Sequence, residues 1–144
     1  MSMVRLALRR PYTFIVMAML IVLATPFALL NMAMHDAGVG CWDAKFTYYS
    51  PRPSQLDPGI KTPIGLPNFP SFPSGHSTFS AAAASVLSYL FPSNAATYTA
   101  MQDEAGISRM YGGIHYRSDI EGGKALGGRV AAHTLAWARA DGAP

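Results

Sequence analysis

Three groups of residues that lie far apart in the chain carry side chains suited to binding a tetrahedral oxyanion. Together they supply permanent cations, imidazoles, a hydroxyl and a carboxylate that can orient a histidine. Phosphoryl transfer through a histidine nucleophile needs this combination, because the oxygens of the phosphoryl group must be held while the ring nitrogen attacks. The candidate site residues are Lys45, Arg52, Ser74, Gly75, His76, Arg109, His115 and Asp119.

The string Pro73-Ser74-Gly75-His76 ends a proline-rich segment and precedes a predicted helix. A helix N-terminus presents free backbone N–H groups and the positive end of the helix dipole, which together bind anions. Gly75 lets the backbone approach the anion closely. The dipole disfavours the charged form of His76, so this imidazole can exchange protons near neutral pH. For this string alone, an ordinary N-cap serine followed by a surface histidine is the alternative.

The string from Ser108 to Asp119 holds a histidine and a carboxylate at helical spacing. A histidine attacks phosphorus only when the facing ring nitrogen is neutral, and a carboxylate on the other ring N–H fixes the tautomer and the direction. We expect Asp119 to fold back onto His115 in this way. Arg109 precedes a two-glycine turn and can bind two phosphate oxygens through its planar guanidinium. Ordinary surface charges on a helix–turn–helix are the alternative.

Lys45 and Arg52 lie on either side of a tyrosine-rich turn. Taken alone, a lysine at a helix end is most often solvated. The three groups in chain order read Lys-x6-Arg-Pro, Pro-Ser-Gly-His and Ser-Arg-x5-His-x3-Asp. In this order they resemble the type 2 phosphatidic acid phosphatase and vanadium haloperoxidase superfamily over about residues 29–140.

The resemblance implies a role for each candidate residue. It implies that His115 is the nucleophile, that His76 is the general acid for the leaving group, and that Asp119 is the partner of His115. It also implies a helical bundle of the acid phosphatase/haloperoxidase type, shortened relative to the family. The residues that it implies for binding phosphate or vanadate are Lys45, Arg52, Ser74, Gly75 and Arg109.

The reaction that the resemblance implies is hydrolysis of a phosphoric monoester, with a phosphate ester as substrate and no cofactor. Three cations can hold the phosphate dianion, and the sequence has no carboxylate cluster to bind a metal ion. One alternative is a vanadate-dependent haloperoxidase, in which the same pocket holds vanadate and His115 ligates it. A second alternative, of a different class, is a non-catalytic truncated or fused remnant of the family.

The 144 residues carry a formal net charge of +3, and only 13% of them are charged. Arg5, Arg9 and Arg10 precede every acidic residue, so the rest of the chain is nearly neutral. A nucleic-acid-binding surface needs Lys and Arg clustered on one face of the folded domain, and we therefore expect no nucleic-acid partner. The single cysteine, Cys41, excludes an intrachain disulfide and is expected to be a buried thiol.

The uncharged segment from Pro11 to Leu30 is apolar and long enough to cross a membrane. We expect an N-terminal unit, residues 1–28, that binds the membrane through residues 11–27, followed by a phosphatase/haloperoxidase-like helical domain, residues 29–144. The basic residues before the segment favour a cytoplasmic N-terminus at the inner membrane, with the catalytic domain periplasmic or extracellular. A signal peptide of a secreted protein and a buried bundle helix are the alternatives.

The stretch from Val4 to Val16 resembles the start of the first transmembrane helix of resistance-nodulation-division efflux pumps. That similarity ends near Pro26, so the chain reads as a mosaic of an efflux-pump-like segment and a phosphatase-like domain. Members of the phosphatase superfamily carry further helices before the lysine-bearing one. Their loss would leave apolar bundle faces unburied, which is the basis of the remnant alternative and favours a homo-oligomer.

The remaining sequence predicts an all-α domain. Small and apolar residues recur at helical spacing from Ala28 to Phe46, and Pro26 is expected to kink this helix or to separate it from the anchor. The proline-rich segment Ser50–Pro73 is expected to be neither helix nor central strand. Further helices are predicted over Ser74–Leu90, Asn94–Arg109 and Ser118–Arg139, the last from a capping-box spacing. The predicted core stripe of the first helix is Leu30, Ala33, Ala37, Cys41 and Ala44.

Two further expectations concern packing. Gly123 and Gly127 lie one turn apart on the last predicted helix, and their neighbours are charged, so we expect them to permit close helix contact inside the bundle rather than dimerisation in a membrane. Trp42 and Trp137 are expected to lie in the core.

Overall fold

A computed structural model describes residues 11–141, and within this range helices are the only regular secondary structure. The predicted all-α class is therefore confirmed. The helices are α1 (Pro11–Tyr48), α2 (Pro53–Leu56), α3 (Gly75–Leu90), α4 (Ala95–Tyr111) and α5 (Arg117–Ala140), with a 3-10 turn at Pro92–Asn94 before α4.

The first helix is continuous through Pro26, so of the two expectations for this proline, a kink or a separation from the anchor, the separation does not occur. A proline inside a helix removes one backbone hydrogen bond but leaves its own φ helical. The flanking turns can therefore continue on either side. As a result, the expected boundary between residues 28 and 29 falls in the middle of one helix.

Buried residues of α1 recur every fourth position. The buried positions are Leu29, Ala33, Ala37, Cys41 and Lys45. Positions four apart form one ridge of a helix, and the small side chains in this ridge let α1 approach its neighbours closely. The prediction was right for Ala33, Ala37 and Cys41, whereas Leu30 and Ala44 are only half-buried. The last residue of the ridge is Lys45, which lies in the interior because it continues the same four-residue spacing.

The core lies where α1, α3 and α5 meet. Its buried residues are Leu29, Ala33, Ala37, Ala82, Val86, Ala131, Leu135 and Ala138. Helix α3 also packs against α4. Near the end of α1, Lys45 contacts Pro73, while further back Gly38 faces Phe79. The contacts therefore run antiparallel between α1 and α3, and the start of α3 meets the end of α1.

Helices α3 and α5 run in the same direction and touch through glycines. A Cβ added to Gly123 would lie 2.6 Å from the backbone oxygen of Ser74, and one added to Gly127 would collide with the backbone oxygen of Thr78. The expectation of close helix packing at these glycines is confirmed. Because α3 and α5 lie in contact from their first turns, their N-termini lie side by side.

The glycine contact gives a stability prediction with a matched control. Gly127→Ala should lower the free energy of unfolding by about 2 kcal/mol, because overpacking against backbone costs about 3 kcal/mol and the helix propensity of alanine returns about 1 kcal/mol. The neighbouring Gly128 has no atom within 4 Å of its added Cβ. Gly128→Ala should therefore raise the melting temperature slightly. Thermal melts of the two variants, followed by circular dichroism, provide the comparison, and equal shifts would contradict the packing assignment.

Three smaller differences from the sequence-based expectations concern the start of the last helix, a short helix in the proline-rich segment, and one tryptophan side chain. The last helix begins at Arg117 rather than after Ser118, because the carboxylate of Asp119 accepts the backbone N–H of Tyr116 and so caps the helix two residues earlier. The proline-rich segment contains the short helix α2, with Pro53 in its first turn, a position that proline tolerates. Trp137 is 51% exposed rather than in the core.

The first part of α1 carries apolar side chains that the described structure leaves uncovered. Its large side chains from Ile15 to Leu23 have exposed fractions of 52% to 69%. This helix contains an 18-residue window with a mean hydropathy of 2.5 and only 6% of it buried. Within the described residues, α1 is the one helix long and apolar enough to cross a membrane.

Candidate active site

A buried histidine–carboxylate pair lies where the turn after α4 leads into α5. His115 Nδ1 lies 2.9 Å from Asp119 Oδ2. Because Asp119 stands in the first turn of α5 and His115 just before that helix, the start of the helix folds the carboxylate back onto the ring. An ionised carboxylate can only accept, so Nδ1 carries the proton and Nε2 presents its lone pair. The expected pairing of these two residues is present.

Three donors converge on the same oxygen of Asp119. Besides His115, the hydroxyl of Ser71 donates to Oδ2 over 2.5 Å and the backbone N–H of Tyr116 donates to it over 3.1 Å. Ser71 is fully buried and its backbone N–H donates to the carbonyl of Ser50 over 2.9 Å. The carboxylate is therefore held from three sides. The sequence analysis did not identify Ser71, and no local motif marks it, since only the fold brings residue 71 beside residue 119.

Arg52 lies at the other ring nitrogen of His115. It is 1% exposed, and its Nη1 lies 3.4 Å from His115 Nε2 and donates to the carbonyl of Ile114 over 2.8 Å. Its Nε and Nη2 donate to the carbonyl of Phe69 over 3.2 and 3.1 Å. Tyr49, with φ of 48° at the end of α1, turns the chain towards this position. Arg52 therefore brings a permanent charge to the nitrogen that would attack.

Lys45 is fully buried at the end of the α1 ridge. Its ammonium group donates to the carbonyls of Pro70, Ser71 and Pro73 over 2.9, 3.0 and 2.6 Å. All three of its donors are thus directed to the backbone that leads into α3. The pKa of Lys45 is lowered to about 8, chiefly by burial; Cys41 and Asp119 act in the opposite direction, and the charge of Arg52 acts in the same direction as burial. Lys45 holds the segment that carries Ser71 and Ser74.

The start of α3 is arranged as the sequence predicted. Ser74 is its N-cap, and its hydroxyl oxygen accepts the N–H of Ser77 over 3.4 Å. The N–H of Ser74 donates to the carbonyl of Asp119 over 2.9 Å, which joins the starts of α3 and α5. Gly75 and His76 then form the first turn, where helix N–H groups are free to bind an anion.

A cavity of about 230 Å³ opens between these groups. Four of the predicted site residues line it: Arg52, Gly75, His76 and His115. Its other walls are mainly apolar and aromatic, formed by Trp42, Pro67, Phe69, Phe79, Ser80 and Ile114. Lys45 and Ser74 do not line it. The ammonium group of Lys45 lies 6.0 and 5.2 Å from the ring centres of Trp42 and Phe69, which do line it, and Ser74 directly precedes Gly75.

Arg109 stands in the last turn of α4 and is half-buried. Its Nε donates to the hydroxyl of Ser108 over 3.1 Å, and it does not line the cavity. Partial burial lowers the pKa of His76, and the positive charge of Arg109 lowers it further.

Electrostatics keep the buried pair in the protonation state that nucleophilic attack requires. Burial lowers the pKa of His115 below its usual 6.5, although the hydrogen bond with Asp119 acts in the opposite direction, and Arg52 lowers it further. Burial raises the pKa of Asp119, but the hydrogen bonds from His115, Ser71 and Tyr116 together bring it below its usual value. At neutral pH the imidazole is therefore neutral and the carboxylate ionised.

Within residues 11–141, no group of three or more His, Cys, Asp or Glu side chains is placed to hold a metal ion. Cys41 is buried, and its sulfur lies 3.9 Å from the carbonyl oxygen of Pro73. Burial raises the pKa of this thiol. It is therefore a packed thiol, as the sequence predicted.

Comparison with protein-family models gives a match to the PAP2 superfamily over residues 15–142. Among curated proteins, a lipid A 1-phosphatase from Rhizobium etli is 42% identical over 60 residues, which cover 42% of this chain and 26% of the relative. The chain thus matches about a quarter of the length of that relative.

Three solved structures share the fold. A bacterial vanadium-dependent iodoperoxidase is 32% identical with a TM-score of 0.70, and the match covers 77% of this chain and 32% of that one. LpxE from Aquifex aeolicus is 24% identical with a TM-score of 0.72, over 86% of this chain and 76% of that one. A transmembrane PAP2-type phosphatidylglycerolphosphate phosphatase from Bacillus subtilis is 22% identical with a TM-score of 0.59, over 88% and 70% of the two chains.

Proposed function

The chain belongs to the PAP2 superfamily, and we propose that it hydrolyses phosphoric monoesters with His115 as the nucleophile. The observation that carries this proposal is the orientation of His115. Asp119 holds Nδ1, Nε2 lies 3.4 Å from Nη1 of the buried Arg52, and both His115 and Arg52 line the same cavity. This is the arrangement that a neutral imidazole needs to attack a phosphoryl group.

The reaction proceeds in two steps. Nε2 of His115 attacks phosphorus, the bond to the ester oxygen breaks, and the protonated ring of His76 gives its proton to the leaving alkoxide. Water then attacks the phosphohistidine while neutral His76 takes its proton, which releases phosphate and restores His115. Arg52 offsets the charge of the phosphoryl oxygens, and the free N–H groups at the start of α3 bind them.

The three predicted site residues that do not line the cavity, Lys45, Ser74 and Arg109, have different roles in the proposed reaction. Lys45 acts through its charge and through the carbonyls that it holds, whereas Ser74 places the start of α3. Arg109 supplies a cation beside His76 that can reach an oxygen of the bound substrate.

Vanadate-dependent halide oxidation is a second candidate, favoured by the 32% identity to the iodoperoxidase. The site fits vanadate by the same chemistry, since a neutral ring nitrogen and the guanidinium of Arg52 line a cavity of about 230 Å³. His115 would ligate the vanadium, and Arg52 and the backbone at Gly75 would hold its oxygens. Bound vanadate activates hydrogen peroxide for attack by a halide.

Adding orthovanadate to the full-length protein tests the proposal against both alternatives. A phosphatase should be inhibited by vanadate and should melt at a higher temperature with it, because a ligand specific to the folded state stabilises that state. A haloperoxidase should instead oxidise iodide or bromide when vanadate and peroxide are present. A broad melt that does not respond to vanadate, with no phosphate release, would indicate a non-catalytic remnant and end the proposal.

We further propose that residues 11–27 anchor the protein in a membrane, with residues 1–28 as the anchor unit and residues 29–144 as the catalytic domain. The exposed apolar run of α1 supports this. The basic residues before it, which lie outside the described range, favour a cytoplasmic N-terminus and a catalytic domain on the opposite side. Alkaline carbonate extraction should leave the full-length chain in the membrane fraction, and its release would contradict the anchor.

Hydrolysis of alkyl phosphates should be fastest at acidic pH. Attack needs neutral His115, so the rate rises as this ring loses its proton. Leaving-group protonation needs charged His76, so the rate falls as that ring loses its proton. Because burial lowers the pKa of both rings below 6.5, both limbs lie on the acidic side. A pH profile of kcat/KM checks this, and p-nitrophenyl phosphate, whose leaving group needs no proton, should lack the falling limb. A flat profile for the alkyl ester above pH 6.5 would refute the role of His76.

Ser71→Ala should lower kcat about tenfold, since it removes one hydrogen bond to a charged group while two donors to Asp119 remain. Ser77 provides the matched control. It is equally buried, and its hydroxyl has no hydrogen-bond partner within the described residues. Ser77→Ala should therefore leave kcat within about twofold. If both variants lose activity equally, Ser71 contributes only packing.

A further inference from the structure

We infer that the active site stands in the aqueous phase, well above the membrane that holds the anchor, so that its substrate is a water-soluble phosphomonoester rather than a phospholipid of the same bilayer. This inference rests on the proposed function and on the proposed anchor. Its source is the continuity of α1, which joins the anchor and the buried Lys45 in one uninterrupted helix.

The lengths of α1, α3 and α5 all place the site at a similar height above the lower end of the helical body. The core contact of Leu29 marks the lower end of the helical body, directly after the anchor. At a rise of about 1.5 Å per residue, the α1 segment from Leu29 to Lys45 is about 24 Å long. On α3, the run from Ser74 to Leu90 is also about 24 Å. On α5, the run from Asp119 to Trp137 is about 27 Å.

The lower end of the body has the features of a membrane–water interface. Four side chains there form what we call the anchor-end collar: Tyr89, Phe91, Trp137 and Arg139. Phe91 and Trp137 are 48% and 51% exposed, and the guanidinium of Arg139 lies 4.7 Å from the centre of the Tyr89 ring. Aromatic rings and basic side chains are enriched at the level of the lipid headgroups, which places the collar at that level.

Above the collar, the outer surface of the body carries charged side chains among its exposed apolar ones, and the charged side chains would be costly to place in hydrocarbon. On α1, Asp36 and Asp43 are exposed, and on α5 Arg129 is exposed. Lys124 and Asp103 form an ion pair of 2.7 Å on the outer side of α4 and α5. Each charged group placed in the bilayer core would cost several kcal/mol. The body therefore stands outside the bilayer rather than embedded to the depth of its site.

The height of the site exceeds the reach of a lipid headgroup. The polar layer on each side of a bilayer is about 5–8 Å thick. Even if α1 tilts by about 40°, the upper limit for membrane helices, the site remains about 18 Å above the collar. A phospholipid would have to leave the bilayer to place its phosphate at His115, and a soluble phosphomonoester would not.

The two tryptophans allow a direct test of this height, because Trp42 lines the site cavity and Trp137 belongs to the collar. Trp42→Phe and Trp137→Phe each leave one reporter in the full-length protein. In vesicles made with phospholipids brominated along the acyl chains, which quench indole fluorescence on contact, we expect Trp137 to be quenched and Trp42 to be unaffected. Quenching of Trp42 as strong as that of Trp137 would overturn the inference. This measurement needs no turnover.

A pair of substrates with one headgroup tests the consequence for catalysis. Dihexanoyl phosphatidic acid dissolves in water, whereas dioleoyl phosphatidic acid stays in the bilayer that holds the protein. We expect kcat/KM for the soluble ester to be at least about 100-fold higher, and equal hydrolysis of the two would overturn the inference. If neither ester is hydrolysed and vanadate leaves the melting temperature unchanged, the proposed function has failed, and the quenching result still decides the height of the site.

Discussion

Replacing His115 with alanine is expected to abolish turnover, with kcat falling by at least about 10⁴-fold, because the nucleophile and the covalent intermediate are both lost. The loss should be the same for every leaving group. Stopped reactions of the unmodified protein with a radiolabelled phosphomonoester should contain a phosphoenzyme that survives alkali and is lost in acid, as a phosphohistidine is. The His115→Ala protein should form none.

The control for this variant is His76→Ala, which removes a histidine from the wall of the same cavity. It should lower kcat for alkyl phosphates by about 10²–10⁴-fold, the contribution of a general acid. It should change kcat for p-nitrophenyl phosphate much less, since that leaving group departs as a stable anion. Full activity in the His115→Ala protein, or a phosphoenzyme in it, would remove His115 as the nucleophile.

Substitutions of Asp119 should differ sharply, with Asp119→Ala losing on the order of 10⁴-fold in kcat and Asp119→Asn only about 10²-fold. The reason is that the hydroxyl of Ser71, the ring of His115 and the backbone N–H of Tyr116 all approach the same carboxylate oxygen. The carbonyl oxygen of asparagine can occupy that position, accept all three donors and preserve the tautomer of His115. What it cannot supply is the negative charge that stabilises the positive ring after attack, and charge-assisted hydrogen bonds are about twice as strong as neutral ones.

Alanine at residue 119 leaves the three donors without their acceptor, so its effect includes lost stability as well as lost orientation. Thermal melts of both variants separate the two contributions, and kcat should be compared at a temperature well below both midpoints. Equal losses in kcat for the two variants would show that the charge of Asp119, and not the tautomer that it holds, determines the rate.

The sequence by itself determined that the fold is helical, and its motifs contain the residues that we propose carry the chemistry. Motif order and spacing identified His115 and Asp119 as a pair, since four residues at a helix start bring a carboxylate back onto a ring whatever lies around them. The N-cap at Ser74, the small residues of the α1 ridge and the close packing at Gly127 are also local or periodic features. Such features follow from helix geometry, which depends only on the nearest residues.

Only the tertiary structure decided where the cations direct their donors. The motif suggested that Lys45 and Arg52 both contact an oxyanion, whereas the fold directs all three donors of Lys45 to the backbone carbonyls of Pro70, Ser71 and Pro73. Arg52 likewise donates to the carbonyls of Phe69, Pro70 and Ile114, and its Nη1 lies beside His115. The fold also placed Ser71 against Asp119, which no spacing predicted. A long flexible side chain can point in many directions, and its choice depends on acceptors that come from distant segments of the chain.

The continuity of α1 was likewise beyond the sequence. Pro26 is compatible with either a break or an uninterrupted helix, because proline removes one hydrogen bond without forbidding a helical φ. The choice depends on what the flanking turns pack against, and here Leu29 and Ala33 join the core directly after it. Local chemistry thus specified the parts of the site, and long-range packing specified their distances from one another and from the apolar end of α1.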